Sequence, residues 1–239
     1  MGIVISNKGI SKQIINCKEE FKVKLSLSAE PSIKSKAKDI VLVLDRSDSM
    51  GVEPLREMKK GVTEFLDTLD IESDGVKNGT IGNGSRAALI SFSSHAKIDV
   101  PYTDSVETLK TAVNALTSDG ATNHKEAFTK ALEVTAPEST NEKIIIVFTD
   151  GESIKGYEGY DEAEAAKAKG ITIYSLGYGT RRYVKAESLE RWASQPASAY
   201  TFITPDVMKI ASSFSGLVSD IDKNGATNIK ITDKISKCF

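Results

Sequence analysis

Short runs of large apolar residues alternate along most of the chain with longer segments in which apolar residues recur every three or four positions. The runs at 40–44, 144–148 and 171–176 are uncharged and rich in branched residues. Such runs are typical of strands buried on both faces of a parallel sheet. The longer segments have the period of helices with one apolar face. The pattern therefore predicts an α/β fold, a doubly wound and mostly parallel sheet flanked by helices.

The same reading predicts the order of the elements between residues 38 and 221. After the first buried strand, a helix is expected over 54–69, with Leu55, Met58 and Phe65 on its apolar face. Gly, Asn, Asp and Ser dominate residues 72–84, which indicates a surface loop. Further strands are expected at 86–93, 97–101 and 200–203. Further helices are expected at 105–116, from the Thr122 loop to about 135, and at 160–169, 185–194 and 206–221.

The two ends of the chain do not follow this alternation. Residues 20–29 and 227–235 alternate polar and apolar positions, as in strands with one solvated face. We predict that residues 1–37 and 222–239 pair in a small β-rich unit into which the α/β domain, residues 38–221, is inserted. The alternative is two unrelated edge strands or frayed tails. One cysteine lies in each flank, and a disulfide and two free thiols are both compatible with the pattern; the residues are Cys17 and Cys238.

Composition narrows the classes of function. The 239 residues carry a net charge of −2 with acids and bases interspersed, which gives no indication of nucleic acid or an anionic membrane as partner. Membrane insertion is not expected either, because no apolar run approaches the roughly 20 residues of a membrane-spanning helix. The first residues, Met-Gly-Ile-Val-Ile-Ser, lack the features of a secretory signal.

Oxygen-bearing side chains stand where the predicted buried strands end. Asp45, Ser47 and Ser49 follow the first strand, and Asp150 follows the strand at 144–148. Thr122 offers another hydroxyl at the start of a predicted helix. Ligands of open α/β sheets bind at the carboxyl ends of the strands, and oxygen ligands suit Mg²⁺. The alternative is that these residues are helix caps and turn residues.

This set resembles the metal-ion-dependent adhesion site of von Willebrand factor A (VWA) domains. The resemblance rests on Asp45-x-Ser47-x-Ser49, on Thr122 within Gly-Ala-Thr-Asn and on Asp150 within Thr-Asp-Gly, and it covers roughly residues 38–221. It implies the VWA fold and metal binding by those five residues, with Mg²⁺ expected and Mn²⁺ or Ca²⁺ as alternatives.

One position departs from the pattern of the family. Asp48 stands between the two serines, where VWA domains usually have glycine. The additional carboxylate would strengthen cation binding, repel an acidic partner, or distort the turn if a positive φ is required there.

The resemblance further implies a non-enzymatic module in which the cation bridges to an acidic residue of a protein partner. A bacterial surface adhesin is the expected type, with extracellular matrix or a host surface as partner and an extracellular or cell-surface location. A cytoplasmic module of a chelatase or stress complex is the first alternative. A Mg²⁺-dependent phosphoryl-transfer enzyme is the second, although Ser47 stands where such an enzyme would need an acid or base.

Several residues near the expected site have less specific roles. Tyr157 and Tyr160 are expected at the partner-facing rim, together with Asp48. Trp192 is expected to pack in the core. His124 follows the Thr122 loop and is expected to be a solvated residue at the start of a helix. The chain has no Gly-x-Ser-x-Gly motif and no evident pairing of a nucleophile with a base, so catalysis is not expected.

Overall fold

The computed structural model describes residues 4–10, 23–29, 36–70, 77–135, 139–151, 153–180 and 184–221. The chain divides into two units, one of residues 1–35 with 221–239 and one of residues 36–220. The second unit holds the α/β domain. Within the described residues, no helix is long and apolar enough to cross a membrane.

In the smaller unit, the strands β1 (Val4–Ile10) and β2 (Val23–Ala29) form an antiparallel pair. Strand β2 lies within the alternating segment predicted from the sequence. Strand β1 was not predicted, because Ser-Asn-Lys-Gly interrupts its apolar pattern. The predicted strand at 227–235, its pairing and the Cys17–Cys238 disulfide lie outside the described residues and stay predictions.

The larger unit contains a six-stranded sheet. Its strands are β3 (Lys38–Asp45), β4 (Arg86–Phe92), β5 (Ala96–Thr103), β6 (Glu142–Thr149), β7 (Thr172–Tyr178) and β8 (Thr201–Thr204). They lie in the order β5-β4-β3-β6-β7-β8, with β5 antiparallel to β4 and the other neighbours parallel. This architecture confirms the predicted doubly wound, mostly parallel α/β fold.

Helices cover both faces of this sheet, as expected when consecutive parallel strands are joined by helical crossovers. Two short 3₁₀ turns, Asp48–Met50 and Val207–Lys209, precede the first and last helices of the domain. The helices are α1 (Val52–Leu69), α2 (Val106–Ala115), α3 (His124–Val134), α4 (Tyr160–Ala168), α5 (Ala186–Trp192), α6 (Ala197–Tyr200) and α7 (Ile210–Ile221).

Strand β3 lies at the centre of the domain. All eight of its residues are buried, and it is paired along its length with β4 on one side and β6 on the other. Burial on both faces explains why the segment shows a continuous apolar run instead of an alternation. The strand ends at Asp45, so its position places that carboxylate at the middle of the carboxyl edge of the sheet.

A charged cluster closes the opposite, amino edge of the sheet. The side chain of Asp39 is fully buried, and Arg86 binds it through two hydrogen bonds, from Nε at 2.8 Å and from Nη2 at 3.0 Å. Asn141 donates a third hydrogen bond at 2.9 Å. Burial alone would raise the pKa of Asp39, but the hydrogen bonds and the charge of Arg86 hold that pKa below its ordinary value. The guanidinium also lies 4.5 Å from the centre of the Tyr102 ring.

Helices α1 and α7 touch through a glycine. A Cβ atom on Gly61 would lie 2.7 Å from Cα of Ala211 and 2.9 Å from the Phe214 ring. Alanine at position 61 gains about 1 kcal/mol of helix propensity, but the overpacking costs about 1–3 kcal/mol because backbone has to move. We expect Gly61→Ala to lower the free energy of unfolding, measured by chemical denaturation.

Gly216 in α7 provides the matched control for that substitution. Among the described residues, apart from its chain neighbours and its own helix backbone, a Cβ atom there would have no atom within 4 Å, and its φ is not in the left-handed region. Gly216→Ala should therefore stabilise the domain by about 0.5–1 kcal/mol. If Gly61→Ala were as stabilising as Gly216→Ala, the close approach of α1 and α7 would not constrain the fold.

Candidate metal centre

The pairing of β3 with β6 brings two carboxylates to one edge of the sheet. Leu44 of β3 is opposite Phe148 of β6, so Asp45 and Asp150 follow at the carboxyl ends of adjacent central strands. An arrangement at opposite edges of the sheet would have excluded a shared site. The structure instead places both residues where α/β sheets bind their ligands.

Asp45 is fully buried and held by two hydrogen bonds. Its Oδ1 accepts from the backbone N–H of Ser47 at 2.8 Å, and its Oδ2 accepts from the Thr149 hydroxyl at 2.6 Å. Sequence reasoning did not assign a role to Thr149. The available signal was a hydroxyl at the end of a strand directly before Asp150. Thr149 fixes the orientation of the Asp45 carboxylate, as the outer partners of metal ligands do.

A chain of hydrogen bonds connects the first loop to Asp150. The hydroxyls of Ser47 and Ser49 lie 3.0 Å apart, and Ser49 donates to Oδ1 of Asp150 at 2.9 Å. The last of these bonds joins residues 101 positions apart in the sequence. The side-chain oxygens of Ser47, Ser49 and Asp150 thus form one contiguous group, and the backbone N–H of Ser47 connects Asp45 to it.

The fifth residue, Thr122, lies on the loop before α3 and is 7% exposed. Its carbonyl accepts a hydrogen bond at 3.0 Å from the N–H of Ile154, in the loop that follows Asp150. The carbonyl of Gly120 accepts from the N–H of Asp48 at 2.8 Å, which attaches the Thr122 loop to the Asp45 loop as well. Backbone bonds therefore connect all three predicted ligand loops.

The electrostatics of this group favour a cation. Burial raises the pKa of Asp45 to about 6, and the nearby Asp150 carboxylate contributes to the same shift. Burial also raises the pKa of Asp150. A divalent cation would oppose both effects, because it stabilises the charged forms. The described residues contain no group of three or more His, Cys, Asp or Glu side chains that could hold a metal ion, so a cation here would depend on hydroxyl ligands in addition to the two carboxylates.

Asp48 is exposed, and its backbone is unstrained. The positive φ angles of non-glycine residues in the described segments belong to Asn83 and Lys185. The turn thus accepts aspartate where glycine is usual. Of the three effects expected of Asp48, distortion of the turn is therefore not observed. Its effects on the cation and on an acidic partner stay predictions.

The two tyrosines expected at the rim differ in environment. Tyr157 is 46% exposed. Tyr160 is half-buried between α4 and α5, where its hydroxyl lies 2.7 Å from that of Ser188 and the Arg191 guanidinium lies 3.9 Å from its ring centre. The rim roles of both stay predictions.

Two exposed apolar side chains near the site were missed. Val52, three positions after Ser49, is 80% exposed, and Ile154, whose N–H binds Thr122, is 47% exposed. Together with Tyr157 they make up three of the four large apolar side chains that are exposed in the described part of the chain. Periodicity gives no signal for them, because Val52 is a single apolar residue at the start of α1 and Ile154 is a single apolar residue in a loop.

The expectation for His124 was wrong. Its side chain is fully buried, with its ring centre 5.1 Å from that of Phe92 and 4.4 Å from that of Trp192. Burial lowers the pKa of His124 to about 3, so the ring is neutral. Position at a helix start suggested solvent, but the α3 N-terminus is covered by the loop after Asp150. Trp192 is only 2% exposed, which agrees with its expected core role.

Comparisons with known proteins identify the fold and its relatives. Residues 39–216 match the model of the von Willebrand factor type A domain. Mouse matrilin-3 is 30% identical over 182 residues, which are 71% of this chain and 34% of matrilin-3. The chain thus spans about a third of this curated relative.

Two solved structures share the fold. The vWF domain of the type V pili tip protein Mfa5 from Porphyromonas gingivalis superposes with a TM-score of 0.70 at 16% identity, over 81% of this chain and 99% of that domain. Proximal thread matrix protein 1 of the mussel byssus, in a form with a zinc-occupied MIDAS motif, gives a TM-score of 0.66 at 23% identity, over 78% of this chain and 46% of that protein. The family match over most of the chain, on this sheet, shows that the chain belongs to the von Willebrand factor type A domain family.

Proposed function

We propose that the domain is a metal-dependent adhesion module and not an enzyme. The observation that carries the proposal is the contiguous group of oxygens at the carboxyl edge, above all the Ser49–Asp150 hydrogen bond between distant loops. Asp45, Ser47, Ser49, Thr122 and Asp150 would hold the cation. A bound cation would supply a positive centre that accepts a carboxylate from a partner protein in place of water.

Mg²⁺ is the proposed metal, with Mn²⁺ and Ca²⁺ as alternatives. The ligands are carboxylate and hydroxyl oxygens, which suit hard cations better than zinc. His124 is the histidine next to this group in sequence, but Ser153 occupies its Nδ1 and its ring packs between aromatic side chains. The predicted ligands thus offer the cation only oxygen.

The exposed residues around the site indicate the chemistry of the partner. Exposed apolar side chains flank the predicted ligands along the chain: Val52 follows the Asp45 loop, and Ile154 and Tyr157 lie in the loop after Asp150. We propose that the partner presents an acidic residue flanked by apolar side chains. Similarity to matrilin-3 and to a pili tip protein supports a partner in extracellular matrix or on a host surface, and an extracellular or cell-surface location.

Chelation provides the test of this function. We expect Mg²⁺ or Mn²⁺ to bind the purified domain in calorimetric titration. Binding to an immobilised extracellular-matrix preparation should vanish in excess EDTA, return with Mg²⁺, and be inhibited by acetate, a free carboxylate. Asp48→Gly should increase the affinity for acidic ligands, by a small factor because exposed charges are screened. No heat of metal binding, or matrix binding that persists in EDTA, would reject the proposal.

A further inference from the structure

The loop that follows Asp150 is attached to the start of α3 by two side chains, the fully buried His124 and the half-buried Ser153. The Ser153 hydroxyl accepts a hydrogen bond from the backbone N–H of His124 at 3.2 Å and lies within hydrogen-bond distance of His124 Nδ1. It also lies 2.8 Å from the carbonyl oxygen of Tyr157. This one hydroxyl thus contacts both α3 and the far end of the loop.

These contacts determine where the proton of the imidazole lies. A serine hydroxyl has one proton to donate, and a carbonyl oxygen can only accept. Ser153 therefore donates to Tyr157, and His124 donates to Ser153 from Nδ1. The neutral ring then carries its proton on Nδ1, which leaves Nε2 as a bare acceptor. Among the described residues, Nε2 is indeed buried without a hydrogen-bond partner.

Burying a nitrogen without a hydrogen-bond partner costs stability, and a residue with only a packing role would avoid that cost. Phenylalanine would fill the same aromatic pocket against Phe92 and Trp192 without burying that acceptor. What histidine adds at this position is the Nδ1 hydrogen bond to the loop. The specific contribution of histidine at this position is therefore to hold the loop, whereas core packing alone would be met by an apolar ring.

Further bonds fix the same loop against α3. The N–H of Lys125 donates to the carbonyl of Tyr157 at 2.8 Å, and the indole of Trp192 donates to that of Glu158 at 2.9 Å. A Cβ atom on Gly159 would lie 2.8 Å from the His124 carbonyl oxygen, so only glycine allows this approach. Through Ile154, which donates to Thr122, the loop joins two of the proposed metal ligands.

We propose that His124 and Ser153 are positioning residues that hold Asp150 and Thr122 at the separation the cation requires. The inference rests on the proposed metal-binding function. It assigns a role to residues that make no contact with the metal themselves. Outer partners of metal ligands commonly contribute 10- to 100-fold in metal affinity. Because His124 and Ser153 act on the ligands only through the loop, we expect a contribution at about the lower of these values.

The test compares Mn²⁺ affinity and amide hydrogen exchange in four variants. His124→Phe and Ser153→Ala should each weaken Mn²⁺ binding roughly tenfold. His124→Asn keeps a donor at the position of Nδ1 and should stay within about threefold of wild type. The double variant His124→Phe/Ser153→Ala should bind no more weakly than the worse single variant, since each single variant already removes the side-chain contact between positions 124 and 153. In metal-free protein, the amides of Ile154 and Tyr157 should exchange faster in both single variants.

The outcomes separate this proposal from the metal-binding proposal. Wild-type affinity and wild-type exchange in folded His124→Phe and Ser153→Ala would show that the pair is only core packing, and would overturn the inference. Absence of Mn²⁺ binding by the wild type would reject the metal site, while exchange in metal-free protein still tests the attachment of the loop. If His124→Phe fails to fold, Ser153→Ala gives the same comparison.

Discussion

Asp150→Ala is expected to abolish metal-dependent binding at physiological cation concentrations. The substitution removes one of the two carboxylates of the proposed site and the acceptor of the Ser49 hydroxyl. Loss of an outer partner typically weakens metal affinity 10- to 100-fold, so loss of a direct ligand should exceed roughly 100-fold. The midpoint of thermal unfolding should then no longer rise when Mg²⁺ is added, because stabilisation by a ligand depends on its affinity for the native state.

Asp48→Ala is the matched control for this substitution. It removes a carboxylate from the same group of loops, but this one is exposed and outside the proposed ligand set. Its effect on metal affinity should stay below about fivefold. The metal-free stability of Asp150→Ala should not fall, since the variant no longer holds a partly buried carboxylate near Asp45. Mg²⁺ affinity equal to wild type in Asp150→Ala would place the cation elsewhere.

Arg86→Ala is expected to produce the largest loss of stability. It deletes both hydrogen bonds from the guanidinium to Asp39. The fully buried carboxylate of Asp39 is then left without its positively charged partner. Breaking a fully buried ion pair costs about 3–5 kcal/mol. The Arg86 side chain is 38% exposed, so solvent screening reduces the expected loss to about 2–3 kcal/mol. Urea denaturation at neutral pH measures it.

The pH dependence of this loss has a definite sign. The pKa of Asp39 is lowered in the folded wild type, so its stabilising contribution is complete above the ordinary value of 3.8 and is lost as the pH falls through the lowered value. Without Arg86, burial raises the pKa of Asp39. Protonation at lower pH then removes the unpaired buried charge and restores part of the stability of the variant. The difference in unfolding free energy between variant and wild type should therefore shrink between about pH 7 and about pH 4.

Two further variants control for the mechanism. Arg86→Met/Asp39→Asn replaces the ion pair by neutral groups of similar size and should recover most of the stability. Lys130→Met removes a cation whose partner, Glu133, is exposed on the same helix, and it should cost no more than about 0.5 kcal/mol. A loss in Arg86→Ala as small as that in Lys130→Met would mean that the buried carboxylate needs no cation.

The fold was predictable because its central strands are buried on both faces. Burial of that kind leaves continuous apolar runs in the sequence, and the run at 40–44 lies within β3. The ends of such runs also reveal which polar residues reach the carboxyl edge of the sheet. Asp45 and Asp150 could therefore be placed near each other without coordinates, and Ser47, Ser49 and Thr122 with the help of the resemblance.

Other features of the site have no comparable pattern in the sequence and could not be predicted from it. The burial of His124 depends on a loop more than 25 positions later that covers the start of its helix, and no local pattern carries that information. The exposure of Val52, the first residue of α1, and of Ile154, in the loop after Asp150, is likewise not encoded in a local pattern. Strand β1 escaped prediction because its polar residues and its glycine resemble a turn.

The position of β3 also has a mechanical consequence. The chain enters the domain at the amino edge of this strand, whereas the proposed partner is held at its carboxyl edge. Tension between an anchored chain and a captured partner would therefore run along the strand axis. The backbone hydrogen bonds that join β3 to β4 and to β6 would then be loaded in shear. They would resist the force together instead of breaking one after another. Strand order and site position would thus allow the proposed adhesion module to stay folded and bound to its partner under load.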